Sequence, residues 1–262
     1  MAKKFLYMLA PIEDVTDSCF RSVCNADLTF TEMARIEALE KRNASTLQRI
    51  KMYDEMPTAI QIIGNNAELL EKFLSGFSPE KGFAGFNLNL GCPSENFVRD
   101  GLGCAMIKRI AKTQKVIDVI KDHGYGASVK MRLGLNSYEK EKKVYLNLIN
   151  KVDADFFIVH ARHGDESYGK KADWSILEEL KNTGKNIVAN GDIKTREDVE
   201  KFSDLMGVMV GRAALANPLI FAELKGLFIS KKEIMEEYSR LVRERNPPEK
   251  YKRNLMRYLE KA

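Results

Sequence analysis

The chain predicts an α/β fold, a (β/α)8 TIM barrel followed by a small C-terminal all-helical domain. Three observations predict it. Eight short apolar runs recur over residues 5–210 with helix-like stretches between them, which is the rhythm of parallel βα units. Polar residues gather where those runs end. After Pro218 the strand rhythm stops, and two helical patterns close the sequence.

The runs fall at 5–10, 28–30, 58–63, 86–90, 128–131, 156–160, 186–189 and 205–210, the second being the weakest. Between them, residues 67–77 carry Leu69, Leu70, Phe73 and Leu74 on one side, and 113–123 carry Val116, Ile117 and Ile120 at helical spacing. Thr195 to Asp198 reads as a capping box opening a helix into Val199 and Phe202. The final helices are expected over 230–245 and 249–262, hinged at Pro247-Pro248. On the last, Tyr251, Leu255, Tyr258 and Ala262 share one face, and Lys250, Arg253, Arg257 and Lys261 fall near another. The division expected is a barrel over 1–222 and a helical domain over 223–262.

With 262 residues, 44% hydrophobic and 30% charged, the chain can bury a large core and belongs with globular proteins. No apolar run approaches the roughly 20 residues that cross a bilayer. The start MAKKFLYMLAP lacks the apolar core and cleavage site of a secretory signal, so a cytoplasmic location is expected. Cys19, Cys24, Cys92 and Cys104 form no CxxC pair and only three histidines accompany them, so neither a structural metal nor a disulfide is expected. Cys19, Cys24 and Cys104 read as packing residues. The net charge of +5 is unevenly spread. From Lys225 onward there are 11 basic and 6 acidic residues, against 31 of each before it, which points the tail toward a polyanion.

The richest stretch is FNLNLGCPSENFVRDGLGCAMIK, residues 86–108, where an apolar strand breaks into Gly91-Cys92-Pro93 and a glycine-studded loop. A thiol at the exposed end of a buried strand is placed for chemistry. Other strand ends carry Gln61, Asn87, Asn89, Lys130, Arg132, His160, Arg162, Asn190, Asp192 and Arg212. Each buried polar group costs several kcal/mol unless paired, so a bound polar ligand is the economical explanation. Asn190-Gly191-Asp192 and Gly211-Arg212 follow the seventh and eighth runs, where barrels commonly hold a phosphate.

Seven segments in order carry a resemblance: LAPIEDVTDSCFR from Leu9, QIIG from Gln61, LNLGCPS from Leu88, VKMRLG from Val129, VHAR from Val159, NGDI from Asn190 and MVGRAALANP from Met209. The chain resembles the tRNA-dihydrouridine synthases, flavin enzymes that reduce selected uridines in transfer RNA. The resemblance implies FMN as cofactor, NADPH or NADH as reductant, tRNA as substrate, and a monomer. It places Pro11, Ile12 and Glu13 beside the isoalloxazine, Gln61 at its pyrimidine edge, Lys130 at its N1/O2 side and His160 nearby. Asn190, Gly191, Asp192, Gly211 and Arg212 are placed at its phosphate end.

By the same resemblance Cys92 is the catalytic acid. A thiol of ordinary pKa about 8.5 is mostly protonated at neutral pH and can give a proton to uracil C5. Asn89, Arg99 and Arg132 are read as substrate contacts, with the loop 96–103 expected to close over the target. Lys231, Lys232, Arg240, Arg243, Arg253 and Arg257 are read as the RNA grip. The chain departs from the family pattern at Ile12 for methionine, and at His163 and Lys170 for threonine and glycine after the sixth strand. Two other readings stay open: a small-molecule flavin reductase on the same barrel, and an RNA-binding barrel without redox chemistry.

Overall fold

The structure is a computed structural model and describes residues 4–260. Nine strands form one parallel sheet: β1 (Leu6–Leu9), β2 (Thr29–Phe30), β3 (Ala34–Arg35), β4 (Thr58–Ile63), β5 (Phe83–Leu90), β6 (Ala127–Met131), β7 (Phe156–His160), β8 (Ile187–Asn190) and β9 (Gly207–Val210). Their order is β1-β9-β8-β7-β6-β5-β4-β2, and the short β3 pairs with β4 as well. Closure comes from the backbone of residue 28: Met8 bridges Leu28, and the Leu9 N–H donates to the Leu28 carbonyl at 3.0 Å. All eight expected strands are present; the weak second one is the two-residue β2, and β3 is a further short strand that the sequence did not predict.

Period-two alternation sorts the residues of each strand between two cores. Met8, Phe30, Ala59, Ile158, Val188 and Met209 face one another in a small apolar cluster that fills the barrel. Their alternates, such as Leu9, Ile60, Val129, Phe157 and Val208, join the large cluster shared with the surrounding helices. Two residues further along the same inward rows stand Gln61, His160 and Asn190. The floor is therefore apolar, and the carboxyl-end layer is polar.

The helices follow the expected signals. Helix Ala67–Leu74 buries Leu70, Phe73 and Leu74, and helix Ile110–Asp122 buries Val116, Ile117 and Ile120. Thr195 and Asp198 do form a capping box, though the helix they open, Arg196–Glu200, is only one turn and a half. Ser230 and Glu233 cap helix Lys231–Arg245 in the same reciprocal way. Asn246 in the left-handed region and Pro248 then separate it from helix Glu249–Leu259. The expected Lys261 and Ala262 of that helix lie outside the described residues.

The two terminal helices are packed on the barrel. Ile234, Tyr238 and Leu241 bury against helix Ser18–Val23, and Leu255 is fully buried beside helix Arg212–Ala216. The last helix lies across the rim. Lys250, expected on its basic face, instead pairs with Asp14 at 2.5 Å.

The β1–β9 seam is tight: a Cβ on Gly207 would collide with the Leu6 carbonyl. Gly207→Ala should therefore cost about 2 kcal/mol or more, by the usual cost of a buried backbone clash. A urea midpoint unchanged from wild type would show that the seam can relax.

Candidate active site

Two adjoining cavities open at the carboxyl ends of the strands. A small one of about 170 Å³ is lined by Pro11, Glu13, Glu32, Met33, Gln61, Asn89, Gly91, Cys92, Lys130, Arg132 and His160, among others. A larger one of about 940 Å³ is lined by the loops after β8 and β9, including Asn190, Gly191, Asp192, Gly211 and Arg212. Tyr168 borders both. The expected cofactor residues thus divide between two cavities that share Tyr168, apart from Ile12, which packs against the large apolar core.

Across β4, β5 and β6 runs a ladder of amides. Asn89 Nδ2 donates to Gln61 Oε1 at 2.9 Å, Gln61 Nε2 to Asn87 Oδ1 at 2.8 Å, and Asn87 Nδ2 to Ser128 Oγ at 2.9 Å. These groups lie side by side because parallel register pairs Gln61 with Asn87 and Asn87 with Ser128. Asn89 Oδ1 also accepts the Gly91 and Cys92 N–H groups at 2.9 and 3.0 Å. Read from the sequence as a substrate contact, Asn89 also fixes the turn that carries the thiol.

Cys92 is partly exposed and unbridged. Burial pushes its thiol up from the ordinary value, opposed by the Ser94 amide and by Arg132 and Lys130, so it is held protonated. The loop behind it is fixed. The Cys104 N–H donates to the Cys92 carbonyl at 3.0 Å, and a Cβ on Gly103, at φ 56°, would strike that oxygen. The expected closing loop is instead a short helix, Glu95–Arg99, followed by buried residues 101–106. Arg99 stands exposed on that helix, bonded to Asn96 and outside the cavity. Cys19 and Cys104 are fully buried, in line with a packing role.

Positive charge crowds the same cavity. Lys130 has no hydrogen bond or ion pair among the described residues, and burial followed by repulsion from Arg132 lowers it to about 8. His160 is lowered to about 2, by burial first and then by Lys130, Arg132, Arg162 and Arg212, so it is neutral. Its buried Nδ1 lacks a partner. Arg132 Nη1 donates to the His163, Gly164 and Glu166 carbonyls, the first at 2.7 Å, which ties the loop after β7 to the site.

Asp192, expected at a phosphate, has a carboxylate already committed. It accepts from Arg162 at 2.6 Å, from the Ala172 N–H at 2.9 Å and from Arg212 at 3.0 Å. A carboxylate repels phosphate, so its side chain acts by positioning the two arginines. Arg162 is 1% exposed and keeps a buried Nη1 without a partner. Tyr168, half exposed, has Arg212, Arg132 and Arg162 at 4.3, 5.6 and 5.8 Å from its ring centre. The orphaned His160 Nδ1 and the unpaired Lys130 ammonium, both on the small cavity, fit a polar, anionic group such as the edge of a reduced flavin.

Strand-end reasoning missed Glu32, Met33, Tyr168 and Tyr258, which line the two cavities. The signal for Tyr168 was its spacing from His160. Of the tail cations, Arg253 and Arg257 are exposed and unpaired among the described residues, as is Lys252, which the sequence reading passed over. Arg240 is neutralised by Glu237 and Glu244 on its own helix. Lys231 and Lys232 open that helix at the end away from Arg243, roughly 20 Å along its axis. The Glu13, Asp14 and Glu32 carboxylates cluster at the rim, but Arg49, Lys250 and Tyr251 already engage them, so no metal is called for.

A sequence model of the dihydrouridine synthase family matches residues 8–261. A probable tRNA-dihydrouridine synthase 2 of Bacillus subtilis is 32% identical over 246 residues, covering 88% of this chain and 75% of that protein. A probable tRNA-dihydrouridine synthase of Aquifex aeolicus is 29% identical over 85% of this chain and 73% of its own. Among solved structures, histamine dehydrogenase from Rhizobium sp. 4-9 aligns at TM-score 0.59 and 11% identity, over 88% of this chain and 46% of that one. That likeness extends to the barrel fold alone.

Lys130 binds its proton less readily folded, at about 8, than unfolded, at 10.5. It therefore opposes folding in full below pH 8, and the opposition fades as pH rises toward 10.5. Lys130→Met should stabilise the ligand-free protein at pH 7, with the difference from wild type shrinking by pH 10. Equal denaturant midpoints at pH 7 would show that the ammonium is solvated.

Proposed function

This chain belongs to the dihydrouridine synthase family, and from that premise we propose the chemistry by which it acts as a tRNA-dihydrouridine synthase. The reaction reduces the C5–C6 double bond of a uridine in tRNA. FMN, when bound, supplies the hydride from its reduced N5 to C6, and NADPH or NADH restores the reduced state. The observation that carries the reading is the placing of a protonated thiol, Cys92, and an unpaired ammonium, Lys130, on one small cavity.

Each residue has a separable task. Cys92 Sγ–H gives its proton to C5 from the side opposite the hydride, the acid half of the addition. Asn89 holds that thiol through the Gly91 and Cys92 amides. Lys130 would lend positive charge to the ring of a bound flavin, which favours its reduced state. Neutral His160 offers an uncharged ring nitrogen beside it. Gly191, Gly211 and Arg212 hold the phosphate, with Arg212 steadied by Asp192. Arg132 links the pocket to the loop bearing Tyr168, which borders both cavities. A uridine must be turned out of the folded RNA to enter, with the unstacking offset by backbone contacts elsewhere. Arg253 and Arg257, with Lys252, are exposed on the rim helix and supply those contacts. Arg243 extends them, while Arg240, Lys231 and Lys232 add at most a weaker field. The terminal helices act as the RNA-facing unit beside a monomeric catalytic barrel, in a cytoplasmic enzyme.

Purified protein should be yellow. Cys92→Ala should keep the colour while dihydrouridine formation falls about 10²- to 10⁴-fold, the usual contribution of a positioned acid. Wild-type turnover in that variant would remove Cys92 from the mechanism. Arg253→Ala with Arg257→Ala should weaken tRNA binding and lower its salt dependence by up to about two ions. An unchanged salt slope in a filter-binding titration would move the RNA grip elsewhere.

A further inference from the structure

The segment that lines one side of the small cavity, Pro11 to Asp14, is held in place by the last helix of the chain. Asp14 sits at φ 58°, a left-handed conformation that L residues adopt at a cost. Both of its backbone polar groups are engaged. Its N–H donates to Glu32 Oε1 at 2.6 Å, and its carbonyl accepts from Asn254 Nδ2 at 3.1 Å. Glu32 is buried at 3% exposure, and its other oxygen accepts from the Tyr251 hydroxyl at 2.5 Å. Tyr251 is itself buried, and burial with the neighbouring carboxylate keeps its phenol protonated, so that it donates.

These bonds form a closed circuit from helix Glu249–Leu259 to Glu32, to the Asp14 turn and back to the helix. Glu32 and Glu13 line the cavity that contains Cys92, so the circuit is part of its wall. The helix's outward side carries Lys252, Arg253 and Arg257, none of which takes part. One helix therefore presents an RNA-facing outer side and a bracing inner side.

We propose that Tyr251 and Asn254 are positioning residues for the cofactor pocket: they hold the Pro11–Asp14 turn in the shape that accepts the flavin, independently of RNA. This rests on the FMN reading above. A turn braced in its bound shape binds its ligand without a further ordering cost, and releasing the brace returns that cost to the binding step. The predicted consequence is a loss of FMN affinity in a protein that is still folded.

The test uses the full chain stripped of flavin and titrated with FMN by flavin fluorescence. Tyr251→Phe and Asn254→Ala should each weaken FMN binding about fivefold or more, the range expected from losing one hydrogen bond. Glu260→Gln, exposed at the end of the same helix and outside the circuit, should bind FMN as wild type does. Hydrogen exchange on the flavin-free variants should show residues 12–16 losing protection while helix Lys231–Arg245 keeps it. Wild-type FMN affinity and wild-type exchange in both inner-side variants would overturn the proposal, as would an equal loss in Glu260→Gln. A wild-type chain that takes up no FMN would instead overturn the cofactor reading, and this inference with it.

Discussion

An unpartnered ammonium, Lys130, stands among arginines at the mouth of the barrel, and the rest of the site is arranged around it. Lys130, Arg132, Arg162 and Arg212 gather about His160 and Tyr168. Asp192 answers Arg162 and Arg212. Arg132 is met by backbone carbonyls, and Lys130 by nothing within the described residues. An ammonium withdrawn from water without a partner is costly, and a bound anion would offset that cost at Lys130. Burial, reinforced by the field of these cations, keeps His160 from becoming a further cation.

The barrel makes this concentration possible. Parallel register and a side-chain period of two place Gln61, Asn87, Ser128, Lys130, His160 and Asn190 on the inward rows. Below them the rows are filled by Met8, Phe30, Ala59, Ile158, Val188 and Met209, which exclude water from the floor. The same closure brings the thiol onto the cavity that the cations line. Cys92 lies past the end of β5, on a turn fixed by Asn89 and by the Cys104 amide. The result is an acid held by its own hydrogen bonds and an unpartnered ammonium on one cavity.

Much of this was legible before any coordinates. Strands of four or more residues announced themselves because a buried parallel strand is apolar on both sides, and the glycine-polar ends marked the rim. β3 was not legible, since Ala34-Arg35 is two residues long and pairs only with the far end of β4. The role of Asp192 was invisible for another reason: Arg162 lies 30 residues away, and nothing local says that a strand-end carboxylate is already spoken for. The Tyr251 to Glu32 bond spans 219 residues and depends on where the last helix lands. Arg240 is different. Glu237 and Glu244, three residues before and four after it, were readable as its partners from helical spacing.

The central claim is that an anionic flavin lies against the Lys130 wall with the Cys92 thiol across the remaining space. A crystal structure of the protein as purified tests it most directly. The account predicts FMN with its phosphate between the loops after β8 and β9, its ring edge at Lys130, and a gap one uracil thick between that ring and Cys92 Sγ. A flavin bound elsewhere, or a thiol turned into the barrel wall with the ring in place, would contradict it.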